Sequence, residues 1–310
     1  MAKYIIKRLL QTIIVLVGVT LVTFIMLNVA PGDPVYNMLQ KRATPEMVAA
    51  VRHQLGLDVP LPQQYLNFVG GALKGNLGSS YFNKVPVLEL IDKAFPITLK
   101  LSALALLISV IVGITVGTVT AVFRGKIIDQ IIMLFTMLSI SAPIFWFAII
   151  MQIVLGLQLK IFPISGMDRQ FWMVMPVAAL GLRYGASASR MVRTNMIDAL
   201  SQDYVRTARA KGVNEFFVVM KHVLKNAGIP VITMVGSQLR DLLGGAMVIE
   251  IVFGIKGIGK VAIDAINSRD IPVIQGITLY MAVVYVAINL VVDMFYGVLD
   301  PRIRIVGGER

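Results

Sequence analysis

A chain of 310 residues with 57% apolar side chains and a mean hydropathy of +0.78 lies above the roughly half-apolar composition of soluble globular domains, so it reads as an integral membrane protein. Its formal charge of +12 is strung along the ends of apolar runs instead of being gathered on one water-facing surface, which excludes nucleic acid as a partner. Cysteine is absent and His53 and His222 are the only histidines, so disulfides, thiolate catalysis, zinc–thiolate centres and a histidine-based metal site are not expected.

The first apolar run covers residues 9–30 behind Lys7 and Arg8. At ~1.5 Å per residue it crosses a hydrocarbon layer of ~30 Å, and it exceeds the apolar core of a cleaved leader, so it is expected to remain as the first span. Residues 31–95 turn polar and rich in Pro and Gly; they read as one large extramembrane loop with a helical patch at 45–55 and turns at 75–80. The second span is expected at 97–122, closed by the Arg124-Gly125-Lys126 turn. The third, at 128–157, contains Pro143, which should kink it. A polar turn at 160–170 precedes the fourth span at 171–188, and a basic loop at 190–227 separates it from the fifth at 229–253. A second polar loop, 254–272, leads to the sixth span at 273–299 and a short basic tail.

Six spans put both termini on one side. The termini, the Arg124 turn and the 190–227 loop hold fifteen Lys and Arg against eleven on the other face, and six of those eleven lie in the 65-residue first loop, where the charge rule acts weakly. The expected fold class is therefore an all-α integral membrane protein, a single transmembrane domain over residues 1–310 with cytoplasmic termini.

Within the 190–227 loop, Ser201 is placed to cap a short helix running to Lys211, Gly212 to end it in the left-handed conformation, and Asn214 to cap a second helix with Glu215 in its first turn. Val205, Ala208, Phe216, Phe217, Met220, Val223 and Leu224 recur at helical spacing as one apolar face, while Arg206, Arg209, Lys211, Lys221 and Lys225 give a cationic exterior. On these residues alone the element is either a docking surface or an amphipathic hairpin lying on the bilayer.

Gly254-Ile255-Lys256-Gly257-Ile258-Gly259-Lys260-Val261 matches a phosphate-binding loop until its last position, where Val261 stands in place of the magnesium-binding Ser or Thr; it reads as a glycine-rich turn. Ionisable side chains inside a span cost roughly 2.5–3.5 kcal/mol at mid-helix, so Arg183, Arg240 and Asp241 must face protein or water. Arg240 and Asp241 are neighbours about 100° apart on a helix and each needs another partner or a cavity. Gly236, Arg240 and Gly244 form a ridge where a second helix could approach closely. Asp129, beside Arg124 and Lys126, and Asp293 are expected at the interface. No Ser-His-Asp set is plausible with His53 and His222 on opposite faces, and there is no HExxH motif; Asp241 and Asp293 lack the motifs of an intramembrane protease.

Arg206-Thr207-Ala208, three residues, Gly212, nine residues, His222, one residue and Leu224-Lys225 resemble the cytoplasmic loop motif of binding-protein-dependent ABC importer permeases, Glu-Ala-Ala, Gly, Ile-x-Leu-Pro. The chain departs from it at Arg206, His222 and Lys225. The run from Asp203 to Gly212 is similar to the variant in dipeptide, oligopeptide and nickel permeases. Arg8-Leu9-Leu10, Ala30-Pro31-Gly32-Asp33-Pro34, the run from Leu55 through Pro60 to Leu61, Gly75-Asn76-Leu77-Gly78-Ser79-Ser80, Pro96-Ile97-Thr98-Leu99 and Glu250-Ile251-Val252-Phe253 with Gly257-Ile258-Gly259 resemble the B-type subunit of that group. Lys256 stands where that group usually has Pro.

The resemblance implies a type I ABC importer permease fold in a bacterial or archaeal inner membrane. It implies a heterodimer with a second homologous permease subunit, two cytoplasmic ATPase subunits that hold ATP and magnesium, and an extracytoplasmic binding protein. This chain would bind no cofactor and no metal and catalyse nothing. The ATPase-coupling residues would be Tyr204, Arg206, Thr207, Ala208, Arg209, Ala210, Lys211, Gly212, His222 and Leu224. The translocation path would be lined by Ser139, Ser141, Gln238, Arg240 and Asp241. Peptides are the expected cargo, with nickel, an oligosaccharide or an ATP-independent channel as the open alternatives.

Overall fold

The computed structural model describes residues 2–29, 32–39 and 43–299; side chains at 2–9, 228–230, 232, 233 and 293–299, and with them Asp293, lie outside the described set. All elements among the described residues are helical, apart from an isolated bridge between Ser79 and Pro86. The chain forms two compact units, Met1–Ile97 with Lys256–Ala287, and Thr98–Ile255 with Ile288–Arg310.

The first unit begins with α1 (Ala2–Val29). In the region expected to be a loop, α2 (Pro34–Leu39) and α3 (Pro45–Gln54) follow; Thr44 caps α3 by accepting from the Met47 N–H, and Pro45 opens its first turn, where an N–H is unneeded. A further helix, α4 (Leu61–Leu73), was hidden in the sequence by Pro62 and the Gly70-Gly71 pair. It packs on α1 through Tyr65, whose hydroxyl lies 3.0 Å from that of Thr20 and whose ring meets Phe24 edge-on at 5.4 Å.

α5 (Val87–Val122) starts ten residues before the expected second span, so Pro96 lies inside a helix and does not open one. The extension is amphipathic: Val87, Ile91 and Ala94 are buried, while Glu89 and Lys93 pair at 2.7 Å on the outside. α12 (Ile258–Ser268) and α13 (Ile271–Leu299) complete the unit's elements. Between them Asp270 is buried; its carboxylate accepts from the Ser80 hydroxyl and, at 3.0 Å, from the Tyr81 N–H, tying the 78–86 turn to the start of α13. Burial, with Asp270's charge added, pushes the Tyr81 phenol up to about 12, so it stays neutral.

In the second unit, α6 (Ile127–Ser141) and α7 (Ile144–Met151) replace the kinked third span with a break of 109° at Ala142-Pro143. Pro143 lacks the N–H that would continue α6 and instead caps α7, which runs on as a π-helical turn, Gln152–Gln158. α8 (Val174–Leu200) continues twelve residues beyond the expected end of the fourth span. Then come α9 (Asp203–Ala210), α10 (Glu215–Phe217), a π-helical segment Val218–Val223 and α11 (Leu224–Phe253).

Small residues fix how α5 meets α8. A Cβ added to Gly113 would lie 2.5 Å from that of Ala188, and one on Gly117 2.6 Å from that of Val192 and 2.8 Å from the Ser189 carbonyl oxygen. In return Gly181 and Gly185 of α8 receive Ile108 and Val112 of α5. Two glycines four apart on each helix bring the backbones together, the packing device of apolar helices in a bilayer. The close approach expected at Gly244 is absent, since a Cβ there would meet nothing within 4 Å; Gly245, one residue on, is the one against Leu180 and Tyr184.

Among the described residues, three segments are long and apolar enough to cross a membrane: Leu10–Val29, Val87–Val122 and Ile271–Val292. Two bent helix pairs, Ile127–Ser141 with Ile144–Gln158 and Met234–Phe253 with Ile258–Ser268, raise the number to five if each pair is one span. α8, which contains the expected fourth span, is not among them; Arg183, Arg190 and Arg193 and its small polar residues lower its hydropathy.

Candidate functional site

The helix–Gly–helix element forms, with different boundaries and a different face from those expected. Ser201 does not cap α9. It is the C-cap that follows α8, in αR geometry, and its hydroxyl donates back to the Asp198 carbonyl at 2.7 Å; Gln202 is the extended residue before α9. Gly212 adopts φ +75°, and its N–H donates to the Arg209 carbonyl at 2.9 Å, which makes the left-handed turn glycine serves. Asn214 accepts from the Phe216 N–H at 2.9 Å and caps α10.

The apolar face divides. Val205, Ala208, Val218, Val219 and Val223 are buried, whereas Phe216 (65%), Phe217 (58%) and Met220 (45%) are exposed. The cause is the π-helical segment at 218–223: its wider turn shifts helical phase, so residues at ideal spacing in sequence end on opposite faces. The two phenylalanine rings meet edge-on at 5.7 Å and, with Met220, form an apolar outer patch.

Tyr204, Arg206, Thr207, Arg209, Ala210, Lys211 and Gly212 are exposed, Ala208 is buried, and His222 and Leu224 are half-buried. The cations are not all available to a partner. Arg206 lies 3.5 Å from Asp203, and Arg209 forms a two-pronged pair with Glu215, at 3.0 Å from Nε and 2.6 Å from a terminal nitrogen. That fork bridges the Gly212 turn from α9 to α10. The Arg209 guanidinium also holds the Glu215 carboxyl below its ordinary range.

Beneath the element, Val205, Ala208, Val218, Val219 and Val223 join Ala121 of α5, Val192 and Met196 of α8, and Ala227 and Val231 of α11 in one buried cluster. Fully burying one such aliphatic side chain is worth ~1.5–3 kcal/mol, so this seat is a substantial anchor. Beside it, Arg193 of α8 forks onto Asp129 of α6 at 2.9 and 2.8 Å, and Asp129 also accepts from the Gly125 N–H at 3.0 Å. Asp129 is buried, and it joins the start of α6 to α8.

The family model described as binding-protein-dependent transport system inner membrane component matches residues 113–305, and its N-terminal companion matches residues 1–102. The chain belongs to this permease family. It is 38% identical, over 98% of its length and all of the relative's, to the probable peptide ABC transporter permease protein y4tP of Sinorhizobium fredii. It is 36% identical, over 98% and 99%, to the dipeptide transport system permease protein DppB of Escherichia coli K12. Against the glutathione transport system permease protein GsiC of Escherichia coli O6:H1 it is 39% identical over 98% and 99%. Its fold is similar to that of the MetNI methionine ABC transporter in inward-facing form (TM-score 0.58, 16% identity, 69% of this chain and 97% of that one). It also resembles an amino acid ABC transporter crystallised with histidines (TM-score 0.53, 18% identity, 67% and 93%). This chain is thus the inner-membrane permease component of a binding-protein-dependent importer, working with other ABC transporter subunits.

The permease's remaining marked residues separate by depth. Gln238 is buried; it accepts from the Ser109 hydroxyl at 2.8 Å and donates to the Tyr184 carbonyl at 3.0 Å, a strut joining α5, α8 and α11. Arg240 donates to Asn289 of α13 at 2.7 Å, while Asp241 is exposed. On α6, Ser139 is half-buried and Ser141 exposed. Sequence reading missed Glu250, fully buried and hydrogen-bonded by Thr98; a carboxylate within an apolar helix was the available signal. The phosphate-loop match is a helix start: Gly257 is the N-cap of α12, and Lys260 is paired with Asp264 one turn on.

Proposed function

We propose that this chain is one of two homologous permease subunits of an ATP-driven importer that carries short peptides across the inner membrane of a bacterial or archaeal cell. It crosses the bilayer six times with both termini in the cytoplasm and serves as a single permease domain. α8 is the fourth span: its arginines face water or protein, which is how a polar helix is tolerated in a bilayer. Peptide cargo is favoured over nickel or an oligosaccharide by the relatives named for peptides, dipeptides and glutathione. An extracytoplasmic binding protein delivers the cargo to the 31–95 loop and the 254–272 loop, and two ATPase subunits bind ATP and magnesium. The chain itself holds no cofactor and hydrolyses nothing.

The observation that carries this reading is an exposed helix–Gly212–helix element seated on buried side chains of α5, α8 and α11. Tyr204, Arg206, Thr207, Ala210 and Lys211 face the ATPase with the Phe216, Phe217 and Met220 patch, while Ala208, His222 and Leu224 hold the element to the permease. The Arg209–Glu215 fork splints the turn, so a push on α9 reaches the seat beneath without being absorbed at Gly212. Rearrangement of α8 and α11 then opens the path, for which Ser139, Ser141, Arg240 and Asp241 are the lining candidates and Gln238 the strut behind them.

Gly212→Pro tests the coupling. Proline can neither adopt φ +75° nor donate the hydrogen bond to Arg209. The reconstituted complex should lose binding-protein-stimulated ATP turnover while membrane insertion and subunit assembly persist; wild-type turnover would overturn the proposal.

A further inference from the structure

We propose that Arg183 of α8 and Asp241 of α11 form a two-charge way-station in the path, the arginine for the carboxylate and the aspartate for the ammonium of a zwitterionic peptide; this rests on the peptide-import reading above. Asp241 lies at the middle of the span expected at 229–253, and Arg183 in the last third of the one expected at 171–188. Neither side chain has a hydrogen-bond or ion-pair partner among the described residues, unlike that of Arg240, which is held by Asn289. A charge without a partner in its own chain is tolerated in a span only against water, a second chain or a charged ligand.

Three observations indicate a wet route. On α8 the polar residues Arg183, Ser187, Arg190 and Thr194 recur at one-turn spacing; Arg183 is half-buried and the other three are exposed. Such a stripe is not suited to lipid, and it runs from the last third of the expected span toward the helix–Gly212–helix element. On α11, Asp241 and Gly244 are exposed one turn apart, leaving a strip without bulk. Tyr184 joins the two helices at this level: its hydroxyl donates to the Asp241 carbonyl at 2.9 Å, and its ring packs at Gly245. Residues 183 and 241, of opposite charge, are thereby fixed on neighbouring helices. A free peptide carries both complementary groups, whereas a metal ion or a neutral sugar would satisfy at most one.

The test is ATP-driven uptake by the complete complex in proteoliposomes, with three cargoes: a free dipeptide, its N-acetyl form and its C-terminal amide. Each variant is read as a ratio to wild type, which cancels the binding protein's own preference. Asp241→Asn should lower uptake of the free and amidated forms on the order of tenfold and leave the acetylated ratio near one. Arg183→Gln should lower the free and acetylated forms and leave the amide near one. Equal ratios for all three cargoes, whether unchanged or uniformly reduced, overturn the proposal. If wild type carries only the free dipeptide, the exchanged variant Arg183→Asp with Asp241→Arg decides: recovery above either single reversal supports the pair, and no recovery overturns it. A wild-type complex that takes up none of the three would instead remove the peptide-import reading.

Discussion

The molecule contains two arginine–carboxylate forks of nearly the same geometry in very different surroundings. Arg193–Asp129 joins α8 to α6 with side-chain exposures of 24% and 6%, whereas Arg209–Glu215 bridges the Gly212 turn at 44% and 55%. Water decides what each can do. In the buried fork the partners have already lost hydration, so removing one strands the other, at a typical cost of ~3–5 kcal/mol. In the exposed fork either partner can return to water, and such pairs are worth ~0.2–1 kcal/mol. The first pins α8 to α6 beneath the helix–Gly212–helix element; the second braces that element's turn from the water side.

The largest expected effect comes from breaking the buried fork. Asp129→Ala should destabilise the permease by about 3–5 kcal/mol, measured as lost thermal stability of the purified complex, because Arg193 is left without its partner. A loss below about 1 kcal/mol would place the two forks in one class. Next is the close packing of α5 on α8. Gly117→Val drives a side chain into Val192 and the Ser189 carbonyl, next to Arg193, and should cost about 1–3 kcal/mol; wild-type stability would show that α5 and α8 are not tightly apposed.

The smallest effect is on the exposed fork. Glu215→Gln should change stability by less than about 1 kcal/mol, yet lower coupling, read as binding-protein-stimulated ATP turnover. Its pH dependence has a definite sign. Arg209 depresses the Glu215 carboxyl pKa in the fold, so the stabilisation is complete above the ordinary glutamate value of about 4.3 and is lost as pH falls through the lower folded value. Between pH 6 and 8 wild type and Glu215→Gln should therefore differ by a constant amount; a difference that varies across that window would contradict the assignment.

Much of the helix–Gly212–helix element was legible because its signals are local. Gly212 at a helix end and Asn214 before Glu215 act through a few neighbouring backbone groups, and both behave as expected. Ser201 misled because serine can equally close a helix by bonding back to a carbonyl three residues earlier, as it does to Asp198. The face of Phe216, Phe217 and Met220 was misjudged because ideal helical spacing contains no π-helical turn. Arg209 counted as a free cation because its partner lies six residues on, across a turn whose direction the sequence did not supply.

The sequence by itself determined that the chain is built for a bilayer, where its apolar runs lie, and which permease family its spaced motifs belong to, since these depend on composition and local order. Tertiary structure decided what each polar residue inside those runs does. Asp129 became a pin, Gln238 a strut and Glu250 a buried acceptor for Thr98, while the side chains of Arg183 and Asp241 have no hydrogen-bond or ion-pair partner among the described residues. The physical reason is that a charge or amide in an apolar run requires compensation without specifying its source. Only the helix that comes to lie opposite settles whether the partner is protein, water or cargo.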